Sequence, residues 1–147
     1  MTRKATVEDI EQLAQLFDGY RKFYNKKSDV KGAVTFLSER LQKNDSEIIV
    51  SFENEVLTGF VQLYPLFSST RMQKYWLLND LFVDENQRGK GFSKALIEEA
   101  KSTCITSDAC GILLETSKSN IIGNRLYPAC GFKLYDEVNF YEWTPES

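Results

Sequence analysis

The stretch Trp76–Glu99, WLLNDLFVDENQRGKGFSKALIEE, reads as a hydrophobic strand, a basic turn with two glycines, and the opening of an amphipathic helix. That order points the free N–H groups of a helix start at whatever lies beyond the strand. Glycine there lets an anion come close to the main chain. The turn is therefore a phosphate cradle by construction. Two common glycine-rich turns do not fit it. A Walker-type loop needs Ser or Thr after Gly89-Lys90, where Gly91 stands, and the dinucleotide fingerprint needs a third glycine where Lys94 stands.

Working outward, the period of the apolar residues gives the flanking elements. Thr2 to Ala5 suits a short strand, and Thr6 with Asp9 resembles a capping box before a helix whose stripe is Ile10, Leu13, Phe17, Tyr20 and Tyr24. Asp29 suits the cap of a second helix carrying Val30, Val34, Leu37 and Leu41, ended by Asn44-Asp45. Strands over Glu47–Phe52 and Val56–Tyr64 follow, joined by a tight turn, with Gly59 at a bulge or close approach. Pro65 is expected to stop the second of them, and Phe67–Lys74 to be a polar loop. The helix after the basic turn carries Phe92, Leu96 and Ala100 inward and ends near Thr103. Gly111–Thr116 reads as a buried strand parallel to its predecessor, followed by a helix over 120–130 and strands over Phe132–Tyr135 and Phe140–Thr144.

Composition narrows the function. At 147 residues, 42% hydrophobic, the chain is expected to form a single domain, residues 1–147, with a sizeable core. No apolar run reaches the roughly 20 residues of a membrane helix, and no signal-peptide pattern opens the chain, so the expectation is a cytoplasmic protein with no membrane partner. A net charge of −3 argues against nucleic acid as a partner and fits a cationic acceptor better. Three cysteines without metal-ligand spacing read as small core residues. The absence of histidine excludes Ser-His-Asp and Cys-His catalysis, His-ligated zinc and an imidazole base, so no metal is expected. Acid–base chemistry must use carboxylates, Tyr, Lys, Cys or water.

Arg88-x-x-Gly91-x-Ser93, preceded by Leu81-Phe82-Val83, resembles the acetyl-CoA-binding signature of the GNAT superfamily of N-acetyltransferases. Ser93 departs from the usual Gly or Ala and is still small. Asn120-x-x-Gly123-x-x-Leu126-Tyr127-x-x-x-Gly131-Phe132 resembles the family's second motif, N-x-x-A-x-x-L-Y-x-x-x-G-F, with Gly123 in place of alanine. On a helix Asn120 and Tyr127 share a face within about 20°, with Gly123 between them leaving room for a ligand. Ile122, Leu126 and Cys130 are expected to face the core, and Pro128 to kink the helix or tighten its last turn.

The resemblance covers nearly the whole chain and implies an α/β fold, the GNAT acyl-CoA N-acyltransferase fold, with a mixed sheet of six to seven strands and about four helices. It implies acetyl-CoA as co-substrate and a primary amine, small and cationic or on a peptide, as acceptor. Coenzyme contacts would come from Phe82, Val83, Arg88, Gly89, Lys90, Gly91, Phe92, Ser93, Asn120 and Tyr127. A backbone N–H near Phe82 or Val83 would polarise the thioester carbonyl, and Tyr127 would protonate the departing thiolate. Asp80 and Glu115 are the carboxylates available as base, directly, through water, or in a structural role only; Asn79 stands where a polyamine-acetylating branch often has a carboxylate. Tyr20, Phe23 and Tyr24 correspond to the usual acceptor-pocket region, although their helical spacing predicts core packing for at least two. Phe140, Tyr141 and Trp143 form an aromatic edge suited to a homodimer interface. The rival reading is a coenzyme-A-binding regulatory or interaction domain without turnover.

Overall fold

Alternating apolar residues draw five segments into one sheet: β1 (Thr2–Lys4), β2 (Glu47–Glu53), β3 (Val56–Ser68), β4 (Gln73–Val83) and β5 (Ile112–Leu113). In this computed structural model, which describes residues 1–146, the strands lie in the order β1-β2-β3-β4-β5. β1 to β4 pair antiparallel, and β5 runs parallel to β4. The α-helices are α1 (Ile10–Phe23), α2 (Val30–Lys43), α3 (Phe92–Thr106) and α4 (Ile121–Ala129). The sheet and α1 to α3 belong to one compact unit, Met1–Glu115, and α4 to a second that begins at Thr116.

Both faces of the sheet in the first unit are covered. Leu13, Leu16 and Phe17 of α1 and Ala33 and Leu37 of α2 pack on Ile48, Val50 and Phe60. On the opposite face Leu96 and Ala100 of α3 pack with Ile49, Val61, Leu63, Trp76 and Leu78. Ile97 of α3 is fully buried as well. Caps set the helix limits: Asp29 Oδ1 accepts from the Gly32 amide at 2.9 Å, and Asn44 ends α2 in the left-handed region at φ 52°. The Asp9 carboxylate accepts the Thr6 amide at 2.8 Å, closing a short 3-10 turn before α1. Asp18, buried on α1, accepts from the Ser28 hydroxyl and the Asp29 amide at 2.8 and 2.7 Å, which fixes the α1–α2 connection.

Three boundaries differ from expectation. Pro65 does not stop β3, which continues to Ser68 and pairs with β4 as a long hairpin, Pro65 opposite Trp76. The partner on the other side, β2, ends opposite Leu63, so from there β3 has an open edge on which a missing N–H leaves no ladder bond unmade. Of the expected loop Phe67–Lys74, Phe67 and Ser68 belong to β3 and Gln73 and Lys74 to β4, and α3 runs on to Thr106. The segments Phe132–Tyr135 and Phe140–Thr144 form no strand, so the sheet has five strands rather than six to seven. Leu134, Phe140, Tyr141 and Trp143 are 76–91% exposed, and without a ladder partner apolar alternation does not make a strand.

Candidate active site

A bulge in β4 builds the centre of the site. The β3–β4 register steps from Leu63 opposite Leu78 to Gln62 opposite Asp80, leaving Asn79 as the extra residue. Trp76 and Leu78 pack on the α3 face, and strict alternation would send Asp80 and Phe82 after them. The extra residue reverses the sides. Phe82 packs on the α1 face, Val83 on the α3 face, and Asp80 is buried beside Gln62 and Tyr20.

Two side-chain amides are aimed at the Asp80 carboxylate. Gln62 Nε2 donates to Oδ2 at 2.6 Å and Asn79 Nδ2 to Oδ1 at 2.8 Å, while Ser46 Oγ donates to Gln62 Oε1 at 2.8 Å and so fixes which end of that amide faces Asp80. Tyr20 donates to the Asn79 carbonyl at 3.0 Å and also hydrogen-bonds Asp80. Burial pushes the Asp80 pKa above the ordinary carboxylate range, with the bonds from Gln62, Asn79 and Tyr20 opposing it. A carboxyl poised in this way can exchange a proton nearer neutrality. Gln62 and Ser46 were not legible as site residues, since only the strand register brings them to Asp80.

Beyond the bulge, among the described residues, no strand pairs with the outer edge of β4. Its parallel pairing with β5 covers only Trp76 with Ile112 and Leu77 with Leu113. Hydrogen-bonding direction alternates along a strand. The Phe82 carbonyl lies against Gly59, where a Cβ would come within 2.7 Å of its oxygen, so Phe82 faces β3 and the main chain of Val83 faces the outer edge. Of Phe82 and Val83, it is Val83 whose main chain turns to that edge, while the Phe82 ring lies under Arg88 and against Tyr20.

The turn follows directly. Gly89 and Gly91 sit at φ 81° and 88°, a region costly for side-chain-bearing residues, and a Cβ at either would meet nothing within 4 Å. Gly91 is the N-cap of α3 with no side-chain cap bond, and among the described residues no protein group accepts from the amides of Gly89 to Ser93. The turn is exposed, left-handed at both glycines and open around their α-carbons at a helix start, an arrangement that fits a diphosphate. Arg88 is tied back by Nε to the Val83 carbonyl at 3.1 Å, and Lys90 Nζ bonds Gln87 Oε1 at 2.8 Å with Glu53 at 3.8 Å, so Lys90 is already engaged as well.

On the α1 side Tyr20 is the aromatic residue that packs inward, against Phe60 and Phe82, while Phe23 and Tyr24 are 58% and 45% exposed, against the expectation that at least two of the three serve the core. Both lie at or just past the end of α1, where the helical stripe no longer faces the sheet. The Tyr24 phenol is raised above its ordinary pKa, first by burial and then by the charges of Asp80 and Glu115. Both carboxylates therefore bear on one aromatic group.

In the second unit Asn120 caps α4. Its Oδ1 accepts the Gly123 amide at 3.1 Å and its Nδ2 donates to Thr116 Oγ1 at 2.9 Å. The room at Gly123, expected to admit a ligand, is filled by that carboxamide, because a Cβ on Gly123 would approach Asn120 Nδ2 to 2.5 Å. Tyr127 packs edge-to-face on Phe132 at 6.0 Å between centroids. Pro128 sits in a tightened last turn, with Gly131 N bonding the Pro128 carbonyl and Cys130 N shared between those of Leu126 and Tyr127. Cys130 is buried as expected, but Ile122, assigned to the same stripe, is 80% exposed. Cys104 and Cys110 are half-buried free thiols. Among the described residues no group of three or more acidic or sulfur ligands could hold a metal ion, and no helix is long and apolar enough to cross a membrane.

Comparison with known proteins agrees with this geometry. A sequence model of the acetyltransferase (GNAT) family matches residues 10–132, a span that runs across both units. An uncharacterised N-acetyltransferase, YhfO of Bacillus subtilis, is 39% identical over 131 residues, covering 89% of this chain and 88% of its own. A probable acetyltransferase of Haemophilus influenzae is 31% identical over 140 residues, 95% and 94% of the two chains. A crystal structure of a probable acetyltransferase superposes with a TM-score of 0.93 at 33% identity, covering 98% of this chain and 97% of that one.

Proposed function

This chain belongs to the GNAT acetyltransferase family, and from that premise we propose that it moves an acetyl group from acetyl-CoA to the primary amine of a small cationic acceptor, residues 1–147 working as one N-acetyltransferase domain. The observation that carries the reading is the exposed turn from Gly89 to Ser93 at the start of α3, left-handed at two glycines and with no protein acceptor for its amides among the described residues. Acetyl-CoA supplies an acyl carbon activated as a thioester.

The chain's own groups do the rest. Main-chain amides of the turn hold the diphosphate, and Arg88 and Lys94 add positive charge beside it. The Val83 N–H donates to the thioester oxygen as negative charge grows there. The acceptor nitrogen bonds to the acyl carbon while the carbon–sulfur bond breaks. Before attack the ammonium gives one proton through solvent to Asp80, whose raised pKa suits the task. As the bond forms the nitrogen releases its second excess proton, the Tyr127 hydroxyl protonates the departing sulfur, and the released proton restores the phenol through solvent. The role of Tyr127 rests on the second family motif. Asp80 and Glu115, both acting on Tyr24, favour a cationic acceptor over a neutral one.

A panel of amines incubated with acetyl-CoA, read by thiol release and by mass spectrometry for one added acetyl group, tests the proposal. Turnover with small di- and polyamines above peptide amines and neutral amines is expected. Acetyl-CoA that raises the Tm while no amine releases thiol above background would establish instead a coenzyme-binding domain without turnover.

A further inference from the structure

Both oxygens of the buried Asp80 carboxylate meet amide donors, Gln62 Nε2 at 2.6 Å and Asn79 Nδ2 at 2.8 Å. That pattern suits the charged group. A proton arriving on either oxygen would point at an N–H already aimed there, and at this depth bulk water does not relieve the conflict. One amide must therefore yield when Asp80 is protonated. Gln62 has the means, because its far end bonds Ser46 Oγ at 2.8 Å and a hydroxyl can accept as readily as it donates. The separations suit both arrangements. A length of 2.8 Å is ordinary for O–H···O and for N–H···O alike, and 2.6 Å lies within the O–H···O range and just short of the N–H···O range.

We propose that Ser46 and Gln62 form a two-state partner for Asp80, in which the Gln62 amide turns over each time the carboxyl gains or loses its proton. With Asp80 charged, Ser46 donates to Gln62 Oε1 and Gln62 Nε2 donates to Asp80 Oδ2. With the proton on Oδ2, the acid donates to Gln62 Oε1 and Nε2 donates to Ser46 Oγ. Each state keeps the same two contacts with their direction reversed, and Asn79 Nδ2 continues to donate to Oδ1. The motion is a half-turn of one carboxamide, within strands that stay paired. Of the other titratable groups facing Asp80, Tyr20 of α1 bonds the carboxyl. The Tyr24 phenol is raised and that of Tyr64 is pushed up to about 12, each by burial first and the Asp80 charge second, with Glu115 also bearing on Tyr24 and Arg40 and Asp45 on Tyr64. Both of these phenols therefore stay neutral while Asp80 titrates. The inference concerns the free protein and does not rest on acetyl transfer.

Nuclear magnetic resonance of the isotopically labelled full chain, without ligand, tests this. The Asp80 carboxyl carbon, followed against pH, should titrate above the ordinary carboxylate range. The Gln62 carboxamide should move at the same midpoint, its Nε2 protons exchanging contact with Asp80 for contact with Ser46 as pH falls. Ser46→Ala removes one bond from both states, so the midpoint should move by less than about half a pH unit. Were Ser46 a fixed lock for the charged form alone, the same variant should raise the midpoint by about one unit or more, and that result overturns the proposal. It is equally overturned if Gln62 keeps its contacts unchanged through the midpoint, or if the Asn79 amide turns in its place. Should Ser46→Ala fail to fold, the wild-type contacts above and below the midpoint decide by themselves.

Discussion

Replacing Asp80 by Asn tests the proton path at the cost of a local rearrangement of its hydrogen bonds. The carboxylate now accepts from Gln62 Nε2 and Asn79 Nδ2, and an amide in its place would set two donors against each other. That conflict resolves if the Gln62 amide turns over and the Ser46 hydroxyl accepts rather than donates, so the new amide keeps a partner on both its oxygen and its nitrogen. What is lost is the acceptor for the proton. An alkyl amine of pKa about 10.4 is neutral in about one molecule per thousand near pH 7.4, and loss of a general base costs roughly 10²–10⁴-fold. The expected fall in kcat/KM at neutral pH is thus about 10²–10³-fold, or roughly 3–4 kcal/mol of transition-state stabilisation. Wild-type kcat/KM should fall as pH drops through the raised pKa of Asp80, a limb that lies above the ordinary carboxylate range. In Asp80→Asn that limb should vanish and the rate climb about tenfold per pH unit as the amine itself deprotonates. Stability has the opposite sign: the folded state holds the Asp80 proton more tightly than the unfolded chain, so this group's contribution improves as pH falls through the same window and is absent from the variant. Thiol-release kinetics against pH, with acetyl-CoA affinity measured separately, decide the matter. An unchanged rate at pH 7, or an acid limb that persists in the variant, would refute the assignment.

Gly91→Val forces a β-branched residue to φ 88° at the face of the free amides and should weaken acetyl-CoA binding at least tenfold by calorimetry; normal affinity would count against the cradle. Tyr127→Phe should lower kcat while leaving the KM for acetyl-CoA unchanged, and an undiminished kcat removes its acid role. Glu115→Gln, at an exposed position, should raise the KM of a cationic amine by no more than about fivefold with kcat intact, the scale of a solvent-screened pair, and should leave neutral amines unaffected. Gly59→Ala places a methyl 2.7 Å from the Phe82 carbonyl oxygen and 3.0 Å from Ser51 Oγ and Val83 Cγ2, so a loss of about 1–3 kcal/mol is expected. Each kcal/mol should appear as a Tm drop of about 2–4 °C in calorimetry.

Local chemistry was sufficient for the parts of this protein that depend on neighbours in the chain. Asp29 and Asn120 cap their helices because a side-chain oxygen reaches an amide three residues ahead, and the turn from Arg88 to Ser93 takes its shape from two glycines that tolerate positive φ. The order of elements and the family likeness are also linear properties of the chain. Pairing across the sheet decided the rest. Nothing between Trp76 and Val83 announces that Asn79 is the extra residue, yet that one insertion moves Asp80 off the α3 face and under Tyr20, Gln62 and Ser46, because the side-chain period of a strand is two and a single step reverses every residue after it. Pro65 lies within a strand because β2 stops short of it, and Phe140, Tyr141 and Trp143 lie in no strand among the described residues. Such outcomes are set by which segments meet, and residues far apart in sequence carry no local mark of their meeting.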